Sequence, residues 1–266
     1  MRGWLRSATA FALVAALAFT VLGAAGRPVT DTSIQGAIHV YSTSSLQNVM
    51  LEIGNAFRAR YPNASVISSF AGTAEMREHL EQGANADVFV SADTATSALL
   101  FRHGLLLAPR VIARGRVGVI ARAGGPVTRL QDLAKPGVRL LIGAPNTPAG
   151  RYATQVLDRM ARARGLGKSY VQKVRANLVD RVKSARDGVL RVAKGDADAC
   201  FAYATDAEMS KIKIVPVEIP DSLQAPVLFS AAVVRATSAP ELATRFTAWL
   251  GDSFARARFE RHGFKP

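Results

Sequence analysis

Residues 65–93, SVISSFAGTAEMREHLEQGANADVFVSAD, constrain the fold more than any other stretch, because two strand-like runs bracket a helix whose start is built from small and hydroxylic residues. Residues 65–70 are β-branched and aromatic enough for a strand, Gly72 lets the chain turn, and the apolar spacing over 74–83 predicts a helix. Thr73 is placed to cap that helix. Residues 88–91 read as a short buried strand, with Asp93 capping a helix over 94–103. In such a β-α-β-α unit the free amides and dipole of a helix start can hold an oxyanion without any Lys or Arg. A small-residue turn is nevertheless more often a well-capped loop than a ligand site, so the anion reading needs a second turn of the same construction.

That turn lies upstream. Residues 37–41 predict the first strand, followed by Ser42, Thr43, Ser44 and Ser45 and then a helix marked by Leu46, Val49, Met50, Ile53 and Phe57. Ser44 and Gln47 have capping-box spacing, which would leave the hydroxyl and amide of Ser45 facing outward. Two successive strand-to-helix turns ending in Ser or Thr would set two positive helix ends at the carboxyl edge of one sheet, the usual ligand position in open α/β sheets.

Further on, residues 138–142 predict a strand, and Pro148, Ala149 and Gly150 open another helix with exposed amides, or form an ordinary Pro-Gly turn. Residues 198–203 predict a strand ending at Tyr203, either a core tyrosine bonded to backbone or a donor reaching a ligand. Strands over 212–217 and 226–234 and helices over 240–250 and 254–262 complete the pattern.

At the N-terminus, Arg2 and Arg6 precede an apolar run over 8–22 and the small-residue site Gly23, Ala24, Ala25, so residues 1–25 are expected to be a secretory signal cleaved near Gly26. Fifteen weakly hydrophobic residues are short for a bilayer span. Cys200 is the single cysteine, so no internal disulfide forms, and no cysteine follows the apolar run to carry a lipid. Without Arg2 and Arg6 the net charge falls from +14 to +12, and residues 151–194 hold twelve Lys or Arg against Asp158, Asp180 and Asp187. These basic residues are spaced as on a solvated helix face with little aromatic interleaving, which favours a solvated surface over a nucleic-acid site.

Several motifs fail. Gly165, Leu166, Gly167, Lys168 and Ser169 end like a phosphate loop, but Arg162 stands where its first glycine belongs, so the segment reads as a helix C-terminal turn. The histidines, His39, His79, His103 and His262, are scattered without metal-ligand spacing, and no serine sits in a hydrolase elbow. Asp87 and Asp93 flank a short strand, which suits bracing and capping better than acid-base catalysis.

Residues 40–50 (VYSTSSLQNVM), 68–73 (SSFAGT), 86–93 (ADVFVSAD), 148–153 (PAGRYA) and 197–207 (ADACFAYATDA) together resemble the periplasmic molybdate-binding proteins of ABC importers, from about Ile38 to His262, Gly263 and Phe264. The resemblance implies an α/β fold of the type II periplasmic binding protein class: two domains, each a mixed sheet flanked by helices, with the ligand cleft between them. Domain 1 would be discontinuous, residues 36–113 and 228–266, and domain 2 would span 114–227, with crossings near 111–115 and 224–228. It implies a monomeric, non-catalytic protein of the periplasm that holds molybdate or tungstate and passes it to an inner-membrane ABC permease, with no other cofactor, no nucleic-acid partner and no direct protein–metal bond. Sulfate, phosphate or a phosphonate is the alternative ligand on the same fold. Carried over residue by residue, the donors are Ser45 and Thr73 (hydroxyl and amide), Ala149 and Ala185 (amide) and the Tyr203 phenol. Thr73, Ser44, Glu75 and Cys200 depart from the family pattern, and Glu75 would bring a carboxylate near an anion.

Overall fold

The computed structural model describes residues 30–209 and 213–265; the expected signal segment, the Gly26 cleavage point and the first residue of the 212–217 strand lie outside them. Among the described residues, ten strands form two five-stranded sheets. The first contains β1 (Gly36–Thr43), β2 (Ala64–Ala71), β3 (Val88–Ser91), β4 (Arg110–Gly115) and β10 (Val227–Val233) in the order β2-β1-β3-β10-β4. The second contains β5 (Val117–Arg122), β6 (Leu140–Gly143), β7 (Leu178–Val182), β8 (Ala199–Tyr203) and β9 (Ile214–Val217) in the order β7-β6-β8-β5-β9. The same plan is built twice: three parallel strands, then a single antiparallel one, β10 or β5, then an outer strand. The chain leaves the first sheet at Arg116 and returns to it after β9, so residues 114 and 115 still belong to β4.

Parallel strands need crossover helices. In the first lobe these are α1 (Gln47–Arg60), α2 (Thr73–Glu81) and α3 (Thr94–Arg102); in the second, α4 (Pro148–Arg162), α5 (Gly167–Ala176) and α6 (Ala185–Lys194). The C-terminal α7 (Pro240–Trp249) packs on the first sheet and α8 (Ser253–Arg261) packs on α1. The apolar stripe of α1 carries Val49, Met50, Ile53 and Phe57, all buried, and Phe57 meets Phe246 edge-on at 5.1 Å. Across that seam Glu52 pairs with Arg261 and His262. The central strands β3, β6 and β8 are buried along their whole length, as strands covered on both faces must be.

A buried aspartate opens the third parallel strand of each lobe. Asp87 accepts the His39 N–H at 2.7 Å and the Thr237 hydroxyl. Asp198 accepts the Arg139 N–H at 2.9 Å and its guanidinium at 3.0 Å. Asp93 caps α3, accepting the Thr96 N–H at 2.9 Å. Asp87 and Asp93 are therefore the brace and cap that their positions suggested.

Three local expectations are corrected. Thr73 is the first residue of α2, not its cap: Gly72 occupies that position and no side chain caps the helix. The Ser44–Gln47 capping box is not made, because residues Ser44–Leu46 wind into a 3-10 turn whose start no side chain caps. Lys168 and Ser169 lie in the first turn of α5; the turn that ends α4 is the piece before them, with Gly165 at φ 85°.

The two lobes touch directly. A Cβ at Gly72 would lie 2.6 Å from the Lys183 carbonyl oxygen, closer than any real Cβ contact. Arg151 of α4 pairs with Asp93 and donates to the Thr96 hydroxyl at 3.1 Å, Arg186 of α6 donates to the Ser44 carbonyl at 3.3 Å, and the Tyr152 hydroxyl accepts the Leu228 N–H at 3.2 Å. Because the obstacle at Gly72 is backbone, a methyl group there must wedge the lobes apart. Gly72→Ala should enlarge the radius of gyration in small-angle scattering while leaving the circular dichroism spectrum unchanged; an unchanged radius would show that the contact does not set the lobe spacing.

Candidate functional site

Parallel strands point their carboxyl ends, and the helix starts that follow, toward the seam between the lobes. The turn after β1 brings Thr43 and Ser45, that after β2 brings Thr73, that after β6 brings Thr147 and Ala149, that after β7 brings Ser184 and Ala185, and the end of β8 brings Tyr203, all to one cleft. The five residues expected from the sequence, Ser45, Thr73, Ala149, Ala185 and Tyr203, thus line the same space. The free volume there is about 10 Å³, far below the roughly 300–1,000 Å³ of sites for drug-sized molecules.

Capping decides which amides face the cleft. In α4, Pro148 has no N–H, and Thr147 takes the Gly150 N–H at 3.1 Å while donating its own proton to the Ala144 carbonyl at 2.7 Å. That leaves the Ala149 amide as the one first-turn donor of this helix not claimed by its cap. Gly150 is required here, since a Cβ would drive into the Ala144 carbonyl. In α6, Ser184 takes the Asp187 N–H at 3.1 Å and leaves the Ala185 amide. In α2, with no capping side chain, the first amides, that of Thr73 included, look to other acceptors. The Thr73 hydroxyl accepts the Ala92 N–H at 3.1 Å, so its own proton can be donated outward.

Tyr203 is a core tyrosine but is not bonded to backbone through its hydroxyl. It is a core residue, 2 % exposed and set edge-on to Phe229 at 5.3 Å, yet its hydroxyl is buried without a hydrogen-bond partner. Burial pushes its ionisation well above that of an ordinary phenol, so it stays a protonated donor. A buried unpartnered hydroxyl is costly, and a ligand that accepts from it recovers that cost.

Formal charges are kept from the centre. Arg151 is held by Asp93 and Arg186 by the Ser44 carbonyl. Lys183 borders the cleft but is exposed, and the part of it pressed against the first lobe is its carbonyl. Glu75, expected near the anion, is exposed and does not line the cleft. Cys200 is wholly buried on β8, its sulfur packed beside Gly188, and burial pushes its thiol far up, so this departure is one of packing.

Sequence reasoning missed Asp206, Arg186, the Arg151–Asp93 pair and the caps Thr147 and Ser184. The caps had a signal: Thr147 before Pro148, and Ser184 three residues before Asp187. Asp206 had none that set it apart from any turn aspartate. It is 3 % exposed and accepts the Tyr203 N–H at 3.1 Å.

Residues 38–265 match the family model described as "Bacterial extracellular solute-binding protein". The molybdate-binding protein ModA of Mycobacterium tuberculosis is 32% identical over 246 residues, covering 91% of this chain and 90% of that protein. Among solved structures, the periplasmic molybdate-binding protein of Azotobacter vinelandii superposes with a TM-score of 0.74 at 22% identity, covering 86% of this chain and 99% of that one. The sulfate-binding protein SubI of Mycobacterium tuberculosis superposes with a TM-score of 0.77 at 18% identity, covering 87% of each chain. With its twice-built sheets, its interlobe cleft and a family match over nearly all the described residues, the chain belongs to the bacterial extracellular solute-binding proteins.

Proposed function

We propose that this chain is the substrate-binding protein of an ABC importer, that its ligand is molybdate or tungstate, and that Ser45, Thr73, Ala149, Ala185 and Tyr203 hold it. The observation that carries the reading is the buried, unpartnered Tyr203 hydroxyl facing a cleft whose other walls are helix starts. A tetrahedral dianion with no proton of its own needs donors on every side and no acceptor. Neutral amides and hydroxyls at helix N-termini supply both hydrogen bonds and favourable dipoles. Phosphate, which keeps a proton near neutral pH, would also require an acceptor there. The 32% identity to a molybdate-binding protein supports the ligand assignment. Sulfate is the second reading, supported by the superposition on a sulfate-binding protein.

The protein works by shape. Ligand between the lobes favours the closed arrangement, and a permease that recognises the closed form receives cargo only from loaded receptors. Residues 1–25 are read as a secretory signal whose removal leaves a periplasmic chain starting near Gly26, acting as a monomer without nucleic-acid partners or cofactor.

A thermal-shift panel tests the assignment, because a ligand bound only by the native state raises stability by RT ln(1 + [L]/Kd). Molybdate and tungstate should raise Tm strongly and phosphate little; a large shift for sulfate alone would favour the second reading. Tyr203→Phe should weaken molybdate binding by about 1–3 kcal/mol in calorimetric titration without lowering the Tm of the free protein, since it removes one donor and almost no volume. Unaltered affinity would return Tyr203 to a purely structural role. A buried anion held by neutral donors should also bind with nearly constant Kd from roughly 50 to 200 mM salt, whereas a polyanion bound to the basic surface would lose orders of magnitude. Molybdate affinity that collapses over that range, beside tight oligonucleotide binding, would overturn the receptor reading.

A further inference from the structure

Arg151 stands in the first turn of α4, two residues beyond Ala149, and its guanidinium is divided between the lobes. In its own lobe Nη1 donates to the Asn146 carbonyl at 2.8 Å, so the head of the side chain is held by the loop that precedes the helix. Across the seam Nη2 pairs with the buried Asp93 carboxylate and donates to the Thr96 hydroxyl at 3.1 Å. A planar, charged fork suits this double engagement, and the single nitrogen of a lysine could not copy it.

The contacts continue beyond Asp93, which belongs to the turn between β3 and α3. Its other carboxylate oxygen accepts the Thr96 N–H at 2.9 Å and the Ser91 hydroxyl at 3.2 Å, and its carbonyl accepts the Ser230 hydroxyl at 2.9 Å. Its own N–H is given to the Ser91 hydroxyl at 3.1 Å. Ala92, between these two residues, lines the cleft and gives its N–H to Thr73 Oγ1 at 3.1 Å. That bond fills a lone pair of the hydroxyl and leaves its proton for an acceptor in the cleft. A continuous path therefore runs from Arg151 in the second lobe to Asp93, along the backbone of the turn to Ala92, and on to Thr73 in the first.

Resting on the oxyanion reading of the cleft, we propose that Arg151 is a positioning residue: reaching over from the second lobe, it fixes the turn at 91–93 and, through the Ala92 amide, the direction in which Thr73 offers its proton. Arg151 and Asp93 belong to different lobes, so the pair forms only when the lobes are together. Closure and the alignment of the Thr73 donor are then one event. These contacts form after the anion has entered, so they slow its escape and leave its rate of entry unaltered.

Calorimetric titration of the mature chain with molybdate reads Kd, and release of radiolabelled molybdate into an excess of unlabelled molybdate reads dissociation. Arg151→Gln should raise Kd and the dissociation rate together by about tenfold, the low end for a charge-assisted hydrogen bond, with the association rate unchanged. Arg151→Lys should stay weaker than wild type; full affinity there would show that charge alone suffices and overturn the inference. Asp93→Asn keeps a cap for the Thr96 N–H and should also bind more weakly. Tighter binding would show that Arg151 merely neutralises a carboxylate near the anion, which overturns the inference as well. The path itself is tested in a Thr73→Val background, where Arg151→Gln should cost little more. Arg151 and Thr73 are not bonded to each other, so independent contributions would add, and full additivity overturns the inference. If Thr73→Val folds poorly, the Arg151 and Asp93 variants still decide. No binding of molybdate or sulfate to the wild type overturns the function reading and this inference with it, whereas tight wild-type binding that Arg151→Gln leaves unaltered overturns this inference alone.

Discussion

An α-helix leaves its first backbone amides without partners, and in this protein the helix starts of both lobes are turned toward one seam. The rest of the structure serves that arrangement. Parallel strands in each sheet send their carboxyl ends to the seam, the crossover helices begin there, and the caps remove the amides that are not needed. Thr147 and Ser184 each satisfy the N–H of the third residue of their helix and leave an earlier one, at Ala149 or Ala185, for something else. Positive electrostatic character at these helix starts is thus built from dipoles.

The second requirement is that the lobes come together without filling the space between them. A small residue makes the approach possible: Gly72 lies against the Lys183 carbonyl. Polar contacts at the margin, Arg151 with Asp93 and Thr96, Arg186 with Ser44, and Tyr152 with Leu228, hold the edges of the cleft and leave the centre to neutral donors. Such partly exposed pairs contribute modestly to stability, which suits a contact that must open and close. The aspartates that begin β3 and β8 brace the sheets below, so the donor positions move as part of rigid lobes.

The basic surface and the neutral site act at different ranges. The excess of Lys and Arg creates a long-range field that raises the encounter rate with anions and is screened by salt. Hydrogen bonds in the closed cleft act at contact and are screened little. On the proposed function, a receptor organised this way would collect anions by charge and select among them by the number and direction of its donors.

Elements built from local signals were legible in the sequence. The strand over 88–91, the Asp93 cap and the apolar stripe of α1 all follow from residues a few positions apart. The strand β7 and the separate helix α5 were not, because charged residues interrupt their apolar pattern. Of the proposed site, the hydroxyls at Ser45 and Thr73 carried a signal of their own and Pro148, Ala149 and Gly150 marked a helix start with exposed amides, whereas Ala185, proposed to act through a backbone amide that no side chain advertises, was reached only through resemblance. What the tertiary structure alone decided is where each hydroxyl proton goes. Thr73 does not cap its own helix but takes the Ala92 amide, and Ser44 forms no capping box. These choices depend on partners brought close by strand order and lobe closure, and a hydroxyl bonds to whatever acceptor the fold delivers, at whatever distance along the chain.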